Sequence, residues 1–245
     1  YMFLYFFSGK SSLTVKAQYL KFDLPLIKEM LTVGASAFVR QGSASIMLII
    51  ANNLLVYYGG DLAIAVLGII HRVMMFTLMP ILGVVQGMLP LVGFNYGARQ
   101  KNRVNESIVL AMKVSTAISL LAFILVMAIP AQLMMIFTTD PAVIEMGRTA
   151  LRLIFLLSLT VGMQMITAGV FQAIGKAKEA FVMSLARQIL FLIPLLIILP
   201  RFIGLNGIWL AFPLADFFAF FLALWLIKNH KDYFFSTGEL ATASK

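Results

Sequence analysis

The sequence contains no cysteine and only two histidines, His71 and His230, in 245 residues. That excludes a disulfide framework and a thiolate metal site, and leaves too few ligands for a zinc site or a histidine-based triad. No P-loop, no G-x-G-x-x-G and no H-E-x-x-H occurs. Charge is scarce as well: 12% of residues are charged against 61% hydrophobic. Enzyme is therefore the class with the least support. Acids are the rarer sign, ten against nineteen Lys and Arg, for a net charge of +9. The excess does not point to nucleic acid, because the bases gather in short loops between apolar runs, where they encode orientation in a membrane.

What the sequence has in abundance is long apolar stretches. A mean hydropathy of +0.97 places it with all-α polytopic membrane proteins, with the lipid bilayer as its surroundings. Residues 1–8 are apolar but far short of the ~20 needed to cross a bilayer, and they lack the basic lead-in of a secretory signal. They read as the end of a truncated helix, and 9–24, with Lys10, Lys16 and Lys21, as a basic loop. A transmembrane lobe over 25–229 follows, with spans at 25–58, 61–97, 105–136, 138–174, 179–199 and 206–228, and 230–245 as a polar tail. Pro25 suits a helix start, Gly59-Gly60-Asp61 a turn, and Asp140-Pro141 a cap followed by proline at the first helical position. Arg99/Lys101/Arg103, Lys176/Lys178 and Lys228/Lys231 fall on the same side as the first basic loop, against Arg201 alone in the alternate turns. The positive-inside rule predicts that side, with the C-terminus, to be cytoplasmic.

The most informative stretch is 80–99, PILGVVQGMLPLVGFNYGAR. Pro90 cannot donate to the carbonyl of Gln86, nor Pro80 to that of Phe76, so each marks a bend with an open acceptor at membrane depth. Gly83/Gly87 and Gly93/Gly97 are two G-x-x-x-G pairs, which admit a closely packed backbone. Packing alone explains the glycines; the bends and Gln86 are also suited to lining a moving cavity.

The run Pro80-x-x-Gly83-x-x-Gln86-Gly87-x-x-Pro90-x-x-Gly93-Phe94-Asn95-Tyr96-Gly97-Ala98 resembles the second helix of the C-terminal lobe in multidrug and toxic compound extrusion (MATE) transporters. Gly169-Val170-Phe171-Gln172-Ala173-Ile174-Gly175-Lys176-Ala177-Lys178 is similar to the end of the fourth helix of that lobe. The resemblance covers about 25–233. It implies one six-helix lobe of a twelve-helix antiporter that exports drugs or organic cations against sodium ions or protons, partnered by an N-terminal lobe. It also implies a substrate cavity, to which Arg40, Gln41, Arg72, Gln86, Asn95 and Gln164 are assigned, with Phe38, Met47, Met75 and Met79 as an adaptable apolar wall. Two departures bear on the coupling ion. Where the sodium-coupled branch carries a glutamate and an aspartate, this sequence has Ala44 and Val161, so the resemblance assigns the ion to the N-terminal lobe. A lipid-linked oligosaccharide flippase and a non-transporting membrane scaffold are the competing readings.

Ionisable groups inside spans are expensive and so are candidates in their own right. Arg40 and Arg72 fit either cavity electrostatics or bonds to carbonyls and buried amides such as Gln86. Arg148 and Arg152, near the start of the fourth span, are placed to snorkel to the headgroups. Asp216 is the one carboxylate well inside a span. Counted from the same membrane face at ~1.5 Å per residue, Arg187 and Asp216 both lie ~15–18 Å deep on consecutive antiparallel helices. A buried ion pair is expected there, either structural or released when Asp216 takes a proton.

Overall fold

A computed structural model describes the backbone of residues 24–230, with the side chains of 25, 26, 28–41 and 177 left outside the description. The expectations for 1–23 and 231–245 therefore fall outside the described residues. The chain divides into two compact units, 1–41 and 42–245; the second carries the architecture below.

Every described element is helical: α1 (Leu24–Gly97), α2 (Lys101–Ala128), α3 (Pro130–Met135), α4 (Pro141–Ile154), α5 (Leu159–Ala173), α6 (Ala177–Leu185), α7 (Ile193–Ile198), α8 (Pro200–Ile203) and α9 (Leu205–Asn229). A 3₁₀ turn, Phe155–Leu157, joins α4 to α5, and a π-helical turn, Ala186–Leu192, joins α6 to α7. Gly42–Gly97, Lys101–Ala128, Lys178–Ile203 and Leu205–Asn229 are each long and apolar enough to cross a bilayer, and Pro141–Leu157 with Leu159–Ala173 form a crossing bent by 47°. One straight helix over 42–97 would be ~84 Å long against a hydrocarbon core of ~30 Å. Gly60, at φ 64° and ψ −165°, breaks it into limbs 42–59 and 61–97, which completes the six expected passes.

The turns use glycine where backbone geometry demands it. Gly60 and Gly204 (φ 60°, ψ −141°) adopt nearly the same conformation, one that L-residues scarcely enter. They lie at the same end of the lobe, since a Cβ on Gly59 would come within 2.9 Å of Leu205. At the other end, α5 closes in a Schellman motif, with Lys176 N–H bonded to Phe171 O at 2.8 Å around Gly175 at φ 77°. α1 closes in the same way, Gln100 N–H to Asn95 O at 2.9 Å, but the left-handed residue is Arg99 at φ 56° rather than a glycine. His230 rests there edge-on against Phe171 and meets Glu179 at 3.4 Å, so that the end of α9 is tied to the α5–α6 turn.

Two apolar cores result. One, toward Gly60, gathers Leu55, Ile70, Leu151, Leu196 and Trp209; the other, toward the basic turns, gathers Met88, Ile108, Val170, Phe171 and Leu226. Lipid is as apolar as these side chains, so close packing rather than water exclusion holds the helices together. α2 meets α5 at Gly162, where an added Cβ would lie 3.0 Å from Ser115 O, and the chain folds back at Gly207, where it would lie 2.6 Å from the carbonyl carbon of Leu199. Between the two cores runs a layer holding the buried polar residues Ser115, Ser119, Ser158, Gln164 and Asp216.

Several expected details change. The third span breaks at Ile129 (φ −129°, ψ 48°), because Pro130 cannot donate to the preceding turn, and Pro130 begins α3 instead. Arg152 does not snorkel: its Nη2 donates to Met127 O at 3.1 Å, capping a carbonyl in the last turn of α2. Asp140 caps α4 as expected, Oδ1 accepting from Ala142 N–H at 2.9 Å.

Candidate functional site

The second limb of α1 presents two unlike faces. Ile70, Val73, Ile81, Val85, Met88 and Val92 are buried against the lobe, while Arg72, Met79, Pro80, Gly83, Gln86 and Pro90 lie exposed along the other side at spacings of three to seven. Phe94, 78% exposed, extends this stripe. Three of its glycines, Gly83, Gly87 and Gly97, have no atom within 4 Å of an added Cβ, and only Gly93 approaches a neighbour, Ala173 O at 3.4 Å. Packing within the lobe thus accounts for Gly93 alone. The stripe is a polar, glycine-rich, proline-containing surface on an otherwise apolar lobe.

The candidate residues fall into separate groups. Arg72 and Gln86 share the stripe but are 14 positions apart, ~21 Å along a helix, so the arginine does not pair with that amide. Its guanidinium lies 5.9 Å from the centre of the Phe137 ring. Met75 and Met79 are exposed on the same side, and Met47 is half-buried against the upper core. Asn95 is buried and turned inward, Nδ2 donating to Leu91 O at 2.8 Å. Gln164 is buried within the lobe, Nε2 donating to the backbone oxygen of Asp216 and to Thr160 Oγ1, each at 3.1 Å. The side chains of Phe38, Arg40 and Gln41 lie outside the described residues.

Arg187 and Asp216 form the expected pair, Nε of the arginine donating to Oδ1 of the carboxylate. Arg187 stands on the π-helical turn, whose extra residue per turn swings it toward α9. Gln164, bonded to the backbone of Asp216, fixes α5 against the same point. Beside the pair lies a cavity of about 30 Å³ lined by Thr77, Leu78, Phe155, Ser158 and Val161 as well as by Arg187 and Asp216. Ser158 follows the 3₁₀ turn directly, and its Oγ is buried without a hydrogen-bond partner. Leaving such a hydroxyl unsatisfied costs about 1–3 kcal/mol. Among the described residues no group of three or more His, Cys, Asp or Glu is placed to hold a metal ion. Sequence reasoning found the pair but not the cavity: nothing in Phe155-Leu156-Leu157 signals a break, and Ser158 and Thr160 were the available clue.

Known proteins share this arrangement of helices. The MatE family model matches residues 37–198. The multidrug export protein MepA of Staphylococcus aureus (strain bovine RF122 / ET3-1) is 25% identical over 232 residues, 95% of this chain and 51% of MepA. Among solved structures, the MATE multidrug transporter DinF-BH, in complex with a rhodamine dye, is 42% identical with a TM-score of 0.80, covering 95% of this chain and 52% of that one. A MOP superfamily transporter from Pyrococcus furiosus shares the fold, with a TM-score of 0.80 at 21% identity over 96% of this chain and 53% of its own. The chain thus spans about half the length of the relatives it matches. With the family model covering most of the lobe, and six helical passes folded as in those transporters, the chain belongs to the MatE family of multidrug transporters.

Proposed function

We propose that this chain forms the C-terminal lobe of a drug-efflux antiporter of a bacterial inner membrane, working by alternating access with an N-terminal six-helix lobe. The observation that carries the reading is the exposed stripe of α1. A face with Arg72, Gln86, two prolines and three open glycines is poorly suited to lipid and well suited to a second lobe and a cavity between them. Organic cations and other drugs would meet Met75, Met79 and Gln86 there. Sodium ions or protons drive the exchange, bound in the N-terminal lobe, since Ala44 and Val161 offer no ligand to a cation. The basic turns, with the C-terminus, face the cytoplasm.

The test is efflux of a rhodamine dye by the complete transporter in proteoliposomes, under an imposed sodium or pH gradient. Gradient-driven efflux is expected, and Gln86→Ala and Pro90→Ala should lower its rate more than they lower folded yield. Efflux that ignores both gradients would refute antiport. Transport of a lipid-linked oligosaccharide in place of the dye would move the chain to the flippase branch.

A further inference from the structure

The Arg187–Asp216 pair is more than a neutralised charge in an apolar core. It is made through one Nε–H···Oδ1 bond rather than a bidentate fork, although the guanidinium has further donors and the carboxylate a second oxygen. The cavity touches both residues, and the partnerless Ser158 Oγ lines the same space. At about 30 Å³ the cavity has room for about two waters, and it offers the two to four polar partners a buried water needs. Both helices that supply it are irregular at this level: the 3₁₀ turn precedes Ser158, and the π-helical turn carries Arg187. Irregular backbone at membrane depth is tolerated where it lines a water-filled cavity, and π-turns concentrate at functional sites.

We propose that this cavity is a hydrated proton site belonging to this lobe: water bridges Ser158 Oγ and the Asp216 carboxylate, and Asp216 takes up a proton through it. In that step hydronium transfers a proton to a carboxylate oxygen and leaves as water. The carboxyl becomes neutral and Arg187 keeps its charge, so the pair passes from net zero to +1 and its attraction is lost. The bond between the π-helical turn and α9 then opens, and the guanidinium turns to the cavity water. Among the described residues, Arg187 is the one charged group facing Asp216 from the elements packed on α9. α5 contributes the neutral Gln164, the 3₁₀ turn leads to Ser158, and limb 61–97 contributes Thr77. Arg152 of α4 is engaged by Met127 O, Glu179 of α6 by Lys176 and His230, and Arg201 of α8 is exposed. The use of this proton in transport rests on the antiporter reading above; the site itself does not.

The experiment is an infrared pH titration of the full chain in detergent, following the C=O stretch of protonated carboxyl groups. A band assigned to Asp216 should titrate in the unmodified protein, vanish in the double variant Asp216→Asn/Arg187→Gln, and shift its midpoint in Ser158→Ala, which leaves the pair intact. The double variant is preferred because it strands no charge and so keeps the fold. Identical pH-difference spectra for the unmodified chain and the double variant would overturn the proposal, and so would a midpoint untouched by Ser158→Ala. A titrating Asp216 band in a complete transporter that moves no drug would refute the antiporter reading alone. Drug efflux with unchanged pH dependence in the double variant, together with no Asp216 band, would refute the proton site alone.

Discussion

Arg187→Gln, Asp216→Asn and the double variant form a cycle whose outcome can be worked out from burial. The Asp216 side chain is 4% exposed and that of Arg187 24%. Removing the arginine leaves a carboxylate with no route to water except the small cavity, a change that costs about 3–5 kcal/mol when a buried pair is broken. Removing the carboxylate leaves a guanidinium that is partly exposed and beside Ser158, so its cost is lower, about 1–3 kcal/mol. The double variant strands neither charge, and Gln164 still bonds the Asp216 backbone, so it should lie within about 1 kcal/mol of the unmodified chain. The cycle then shows a coupling of at least ~2 kcal/mol. Trp209, 1% exposed and two turns before Asp216 on α9, is a built-in reporter. Trp225, 57% exposed, is replaced by Phe to remove its background. Denaturant unfolding in mixed micelles, followed by Trp209 fluorescence, gives all four stabilities. Losses that add to within about 0.5 kcal/mol would refute the pairing argument, and a larger loss for Asp216→Asn than for Arg187→Gln would refute the ranking by exposure.

Gly162→Val should destabilise the chain by about 1–3 kcal/mol in the same unfolding assay, because its side chain meets Ser115 O across the α2–α5 crossing. Gly83→Ala, facing open space, should leave that stability unchanged to within about 0.5 kcal/mol while lowering efflux by the complete transporter. Arg152→Met should cost about 1.5–3 kcal/mol through the lost bond to Met127 O, a loss that Arg152→Lys only partly restores. Cysteines placed at Arg99 and Lys176 should react with a membrane-impermeant reagent from one side only, and those at Gly60 and Asn206 from the other; reaction of all four from one side would overturn the topology.

The parts legible in the sequence were those governed by strong, local penalties. Charges inside apolar runs are expensive enough that Arg187 and Asp216 could be matched by depth alone. Glycine and proline punctuation located Gly60, Asp140-Pro141 and the turn at Gly175. The illegible parts depend on contacts that no short stretch records. Phe155-Leu156-Leu157 reads as ordinary helix, and its break becomes visible only once α9 and the π-helical turn are packed beside it. Arg152 read as a snorkelling base because its acceptor, Met127 O, belongs to a helix end 25 positions away. Gln164 was grouped with Gln86 by composition, yet one faces Asp216 inside the lobe and the other lies on the stripe. The two limbs of the lobe's longest helix were found; which side of the second would remain bare needed the three-dimensional packing.

Gly60 turns the chain with a single non-helical residue, so the limbs on either side meet without slack. A loop of several residues would let each limb spin about its own axis independently. A one-residue turn in a restricted conformation acts instead as a rigid elbow, and torque applied to one limb is delivered to the other. If the stripe on limb 61–97 reorients during a transport cycle, limb 42–59 must counter-rotate with it, and the Gly204 turn, braced against Gly59 through Leu205, is drawn along. Lengthening the elbow by two or three serines would uncouple that gearing while leaving every side chain of the stripe in place.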